Sequence, residues 1–404
     1  MLRRLCLVTL FCCGLIGSGR AETPSAEAEG RRWLAHFQCN RCHDGSGLPD
    51  VPQEKHCTHC HQDILAGTFR IDQETLHTWQ SHLTSLNVVP SLTGIGVRLR
   101  RSWVESFLLK PHDLRPALPA LMPRLAITPL VAKQLAAALI PKEATPTPLP
   151  KGNLSQGRLL FESLGCATCH RFSGVPPLAV HSATFSLSAA QLQNAIALAP
   201  DLRFARERLQ TNSLASWLRN PKQQKPDTLM PSFALSDEQV SDLSAYLLTT
   251  PLLPQPQPPP FVRLPVLTRR VGFEEVNERV FRRICWHCHS TPEYAKGDGG
   301  PGNTGGFGFQ GRGFSVTSYS DVASGVLDDK RNRRSVFLPV SGPESGTVSG
   351  PDKTSRLVAV LLARHKELAG QVTPGLRGMP LGLPALSAEQ IQLVESWIAQ
   401  GRPQ

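Results

Sequence analysis

The chain has 404 residues, 40% of them hydrophobic, which is enough for several packed cores. Beyond the N-terminus no apolar run reaches about 18 residues, so the sequence predicts no membrane-spanning helix there. The formal charge is +11. It falls to +8, 40 basic against 32 acidic residues, once Arg3, Arg4 and Arg20 are set aside. That excess is an ordinary basic surface and no argument for nucleic-acid binding.

Residues 1–21 read as a secretory signal. Arg3 and Arg4 are its basic start, Leu5 to Ile16 its apolar core, and Gly19-Arg20-Ala21 a cleavage site with cleavage expected after Ala21. An uncleaved anchor is the alternative. The residues before Cys12 and Cys13 lack the small side chains of a lipid-attachment site. Export predicts the periplasm of a Gram-negative bacterium, or an extracellular or membrane-complex-associated place.

Three of the 11 cysteines lie in this signal. The other eight are Cys39, Cys42, Cys57, Cys60, Cys166, Cys169, Cys285 and Cys288, spent on four Cys-x-x-Cys-His motifs: CNRCH, CTHCH, CATCH and CWHCH. Zinc binding or dithiol cycling requires no histidine after every pair. Two thiols three residues apart reach both vinyl groups of one porphyrin, and the next histidine then faces the iron. The motifs therefore predict four covalently bound haem c groups with His43, His61, His170 and His289 as proximal iron ligands. The propionates of four haems offset about half to all of the basic excess.

Residues 22–140 carry two motifs, with an entry helix, GRRWLAHFQCNRCH, before the first only. A segment DQETLHTWQSHLTSL predicts a helix bearing His77 and His82. Further on, LMPRL and ITPLVAKQLAAAL place Met122 before a closing helix. A Pro-rich linker (141–150) leads to residues 151–249, which repeat the plan around Met230. Ser236 and Gln239 have capping-box spacing at the start of the closing helix. A second Pro-rich linker (250–268) leads to residues 269–404. These contain a glycine-rich stretch, GDGGPGNTGGFGFQGRGF, a middle helix SRLVAVLLARHKE, and Met379 before a helix with the Ser387/Gln390 box. The glycine run follows no strand and opens no helix, so no nucleotide site is predicted; it suits a loop on a haem edge or a docking surface. Strand signals are confined to short stretches near FSVTSY and RRSVFLPV.

Apart from Met1, every methionine precedes a proline: Met122, Met230 and Met379. A thioether on a stiffened loop is a sixth ligand that raises the haem potential. The His61–Met122 spacing, 61 residues, matches the 60 between His170 and Met230, but only Cys39 has an entry helix. Helix docking outweighs loop length, which assigns Met122 to the Cys39 haem. The Cys57 haem then needs another ligand: His82, with His77 as alternative.

Residues 151–250 resemble a class I cytochrome c, on GRLLFESLGCATCH and SLASWLRNPKQQKPDTLMPSFALSDEQVSDLSAYLL. Residues 30–140 resemble the same plan with an extra motif, and residues 269–404 resemble it at their two ends. The resemblance implies an all-α fold of tandem class I cytochrome c-like domains joined by Pro-rich linkers. It implies an electron-transfer protein rather than an enzyme. Its partners are redox proteins or a membrane respiratory complex, with membrane association only through a partner or an uncleaved N-terminus. The alternatives are a dihaem peroxidase-like enzyme with an open site at the Cys57/Cys60 haem, and a component of an extracellular electron conduit.

Overall fold

The structure is a computed structural model that describes residues 24–86, 88–118, 122–143, 145, 147–179, 185–290, 303–339 and 354–404. The signal (1–21) and the first part of the glycine run lie outside the described residues. The rest is mostly helical and gathers around three apolar clusters.

In the first cluster, α1 (Ala26–His36) starts at Ser25, whose hydroxyl accepts the Ala28 N–H at 3.1 Å. α2 (Cys57–Ala66) begins on the second motif itself and α3 (Gln73–His82) is capped by Asp72; these two helices pack on each other and contribute no side chain to this apolar cluster. α4 (Arg101–Leu109) and α5 (Pro129–Leu139) complete the set, the latter with proline in its first turn and Thr128 as cap. α1 crosses α5 at Gly30, where a Cβ would lie 1.9 Å from the Gln134 carbonyl oxygen. Leu34, Val104, Leu135 and Ile140 are buried around this crossing.

The second cluster repeats the plan. Its segment of the chain contains α6 (Leu154–Ser163), α7 (Ala189–Leu198), α8 (Ala205–Arg208), α9 (Thr211–Arg219), α10 (Pro221–Gln224) and α11 (Asp237–Thr249), of which α7 buries no residue and adds nothing to the apolar cluster. α6 crosses α11 at Gly157, where a Cβ would lie 2.2 Å from the Asp242 carbonyl oxygen. Both bonds of the Ser236/Gln239 capping box form. So do those of a Ser188/Gln191 box that opens α7.

In the third cluster α12 (Phe273–Val276) passes into a π-helix over Asn277–Cys285, closed by the Trp286 N–H on the Phe281 carbonyl at 2.9 Å. Then come β1 (Gly305–Gly306) with β2 (Phe309–Gln310), α13 (Tyr319–Ser324), and β3 (Val326–Leu327) with β4 (Arg333–Arg334). α14 (Arg356–Leu368) and α15 (Ala388–Ala399) bury Leu361 and Trp397. The FSVTSY strand is not formed: Phe314 and Val316 point into the core from an irregular segment, and RRSVFLPV supplies only Arg333–Arg334.

The first two clusters meet through equivalent residues. Leu99 and Leu209 pair as an antiparallel bridge. The Arg100 N–H binds the Arg208 carbonyl and the Gln210 N–H the Arg98 carbonyl, both at 2.9 Å. Aligned on Pro111 and Pro221, these positions are counterparts at a spacing of 110 residues. The contact is therefore a local two-fold arrangement inside one chain. Side chains follow it: Gln210 donates to the Gly96 and Leu99 carbonyls, and Arg100 to the Leu209 carbonyl. The second Pro-rich segment lies against its neighbours, with the Phe261 ring stacked on His365 at 3.7 Å and Arg263 paired with Glu395.

Candidate functional site: four Cys-x-x-Cys-His turns

Each motif is a tight turn at the end of a helix or at the start of one. Cys39–Arg41 and Cys166–Thr168 form single 3-10 turns entered through left-handed residues, Gln38 (φ 52°) and Gly165 (φ 72°). Glycine adopts this backbone freely; Gln38 is held by its side chain, whose Oε1 accepts the Phe307 N–H at 3.3 Å. None of the eight cysteines is in a disulfide. Burial pushes the thiols of Cys39, Cys166 and Cys285 up to about 12, which keeps them neutral and slow to form disulfides in the bare chain.

The four histidines share one arrangement. His43 Nδ1 lies 2.8 Å from the Pro90 carbonyl oxygen, and His170 Nδ1 lies 3.0 Å from that of Pro200. His61 and His289 place Nδ1 3.2 Å from the carbonyls of Leu86 and Phe314. A carbonyl only accepts, so Nδ1 carries the proton and Nε2 is the free lone pair. Burial lowers the pKa of all four, to about 4 for His289, and so favours the neutral ring that binds a metal. A carbonyl on the far nitrogen also fixes the ring's orientation. Thiols three residues apart, none in a disulfide, beside an oriented Nε2 fit a covalently held haem.

Each predicted methionine packs into the same apolar cluster as one motif: Met122 with Cys39, Met230 with Cys166, and Met379 with Cys285. The Met379 loop is tied by its N–H to the Val360 carbonyl at 2.9 Å. Beside it, the Gly378 N–H binds Glu367, itself paired with buried Arg364. Met230 has a partner that the sequence reading missed, for the Trp217 Nε1–H donates to its Sδ at 2.8 Å. The counterpart of Trp217 in the first cluster is Phe107, which has no N–H to give. The signal was present in the sequence, as an indole four residues before the Pro221 that aligns with Pro111. A donor on the thioether draws electron density from sulfur and favours the reduced iron. Trp217→Phe is expected to lower that one potential by on the order of tens of millivolts, read by spectroelectrochemistry; an unchanged titration removes Trp217 from the role.

The second motif has a different neighbourhood. His82 is half-buried at the end of α3, and among the described residues its Nδ1 has no hydrogen-bond partner. Burial, then Arg283 and Arg282, lowers its pKa. His77 is exposed.

Three of the motifs touch in space. The Cys42 thiol is in hydrogen-bond contact with Cys57, and the Thr58 hydroxyl donates to the Cys42 carbonyl at 3.1 Å. Asp44, directly after the first motif, lies 3.2 Å from Nε2 of both His56 and His59, whose rings stack at 3.7 Å. His56 Nδ1 also caps α2 by accepting the His59 N–H, so its Nε2 carries the proton and lies at ion-pair distance from Asp44, while His59 Nε2 makes the hydrogen bond to it. This is a latch between the first two motifs. The His61 ring lies 6.1 Å from that of His287, inside the fourth motif. The described part of the glycine-rich stretch docks within the molecule, with Gly308 against Phe37 and His36 and Arg41 over the Phe307 ring at 5.1 Å.

Residues 154–251 match the family model described as cytochrome c. This segment supports a c-type cytochrome, with covalently bound haem c and an electron-transfer role. No curated protein and no solved structure matches the chain. Among the described residues no helix is long and apolar enough to cross a membrane.

Proposed function

We propose that the chain is an exported tetrahaem c-type cytochrome that passes electrons between redox partners, as a carrier or as the cytochrome subunit of a respiratory complex. One observation carries this reading: every Cys-x-x-Cys-His histidine holds Nδ1 on a backbone carbonyl and leaves Nε2 free. The same device in all four motifs supports reading the segments outside 154–251 as cytochrome-like as well. When bound, each haem supplies one-electron redox chemistry.

The chain's own residues do the rest. The cysteines of each motif would hold the group, His43, His61, His170 and His289 would be iron ligands, and Met122, Met230 and Met379 would supply thioether ligands at the Cys39, Cys166 and Cys285 sites. Met122 belongs with Cys39 because both pack into one cluster. His82 takes the corresponding place at the Cys57/Cys60 site, its unpartnered, half-buried Nδ1 being better suited than exposed His77. A filled sixth position there speaks against the open site that peroxidase chemistry needs. Donor and acceptor are other redox proteins or a membrane respiratory complex in the periplasm.

The test is the haem-to-chain ratio of protein matured in a host that attaches haem c, by pyridine haemochrome and intact mass. Four haems per chain is expected; fewer overturns the reading. His82→Ala is expected to leave three haems as they are and turn one high-spin. A spectrum that stays wholly low-spin refutes His82.

A further inference from the structure

Three arginines gather where the first two clusters meet. Arg98 and Arg208 are counterparts across the local two-fold contact, flanking the Leu99–Leu209 bridge, and Arg115 joins them from the first cluster. All three are half-buried. Among the described residues the Nε atoms of Arg98 and Arg208 have no hydrogen-bond partner and no carboxylate forms a salt bridge with Arg115 or Arg208, although Asp113, whose carboxylate accepts the Arg115 backbone N–H at 2.8 Å, acts on Arg115 from nearby. Arg98 has a carbonyl, that of Thr93 at 3.3 Å, and the more distant Asp227. Burial, then Arg115, then Arg98, pulls the Arg208 guanidinium down to about 10. Like cations brought together out of water repel, and a chain tolerates this where an anion completes the site.

The position says which anion. Arg115 acts electrostatically on His43 of the first motif, and Arg208 on His170 of the third. The cluster therefore adjoins two haem-attachment sites at once, on opposite sides of one contact. Guanidinium forks bind carboxylates in bidentate fashion.

We propose that Arg98, Arg115 and Arg208 form one shared carboxylate seat at the contact between the first two clusters, taking propionates from both the Cys39 haem and the Cys166 haem. This rests on the tetrahaem reading above and deepens it, because a shared seat couples two haems from distant parts of the sequence. The attachment sites then follow each other in space in the order Cys166, Cys39, Cys57, Cys285, which is not their order along the chain. The later steps are the Cys42–Cys57 contact and the His61–His287 approach.

The experiment is a spectroelectrochemical titration of the full haem-loaded chain carrying Arg115→Gln or Arg208→Gln. Arg115→Gln is made in a Met230→His background and Arg208→Gln in a Met122→His background, so the Cys166 haem or the Cys39 haem is identified as the one that the background substitution moves out of the Met-ligated set. A shared seat makes the effect cross the contact. Arg115→Gln, in the first cluster, is expected to raise the ferric-to-ferrous ratio of the Cys166 haem at fixed potential by about threefold to tenfold. Tenfold corresponds to 59 mV for one electron. Arg208→Gln is expected to do the same to the Cys39 haem. Arg208→Lys keeps the charge and loses the fork, and its expected effect is smaller on both haems; it also serves if Arg208→Gln fails to accumulate. Shifts confined to the haem on the mutated residue's own side, or no shifts at all, overturn the seat. Absence of covalently bound haem would instead overturn the reading of the motifs, so the two failures are distinguishable.

Discussion

Gly157→Val is expected to prevent the second cluster from forming and to cost the protein the haem at Cys166 and Cys169. Any Cβ at this position meets the Asp242 carbonyl oxygen at 2.2 Å and the Tyr246 Cβ at 2.7 Å. Both belong to α11, whose Val240, Leu243 and Leu247 are buried. The helices cannot separate locally, because the Asn153 N–H is tied to Asp242 Oδ1 at 2.6 Å and Phe161 and Tyr246 pack ring against ring at 5.9 Å. Overpacking such a crossing costs on the order of 3 kcal/mol for alanine, and more for the branched valine. Calorimetry on the full chain should show one of several transitions lost or lowered, with haem content reduced by one. A variant with four haems and unaltered melting would show that the crossing yields easily. Gly30→Val, at a distance of 1.9 Å from the Gln134 carbonyl oxygen, is expected to do the same to the first cluster.

Met230→His is expected to lower one reduction potential by on the order of 0.1–0.3 V, part of the roughly 0.8 V range that axial ligands command. It should also remove one of three contributions to the weak absorption band of iron–thioether bonding. Imidazole donates more strongly than a thioether and stabilises ferric iron. The Trp217 indole, left without its sulfur acceptor, then has no partner in the described surroundings of that loop. Retention of the full band would mean that Met230 does not face iron. Retention of the potential with loss of the band would mean that the loop had refolded to present another donor.

Much of the site is legible along the chain because its chemistry is local. Two thiols three residues apart with histidine next are one turn of backbone, whatever surrounds them. The capping boxes at Ser236 and Ser387 are equally local, and both form. The Met-Pro loops were readable as a repeat in sequence. By contrast, FSVTSY carries a strand-like alternation yet stays irregular, because its Phe314 carbonyl turns to His289 and its Val316 N–H to the His289 carbonyl. Tertiary demand there overrides β-propensity.

The sequence by itself determined the local patterns: which cysteines and histidines stand together in four motifs, which methionines share a common context, and which segments become helices. Only the tertiary structure decided how these units meet. Leu99 faces Leu209, Cys42 reaches Cys57, His61 approaches His287, and Arg98, Arg115 and Arg208 collect at one contact. Local patterns are written by neighbours within a turn or two. Contacts between residues 110 or more positions apart, such as Leu99 with Leu209, are chosen by packing the whole chain, and no short motif encodes them.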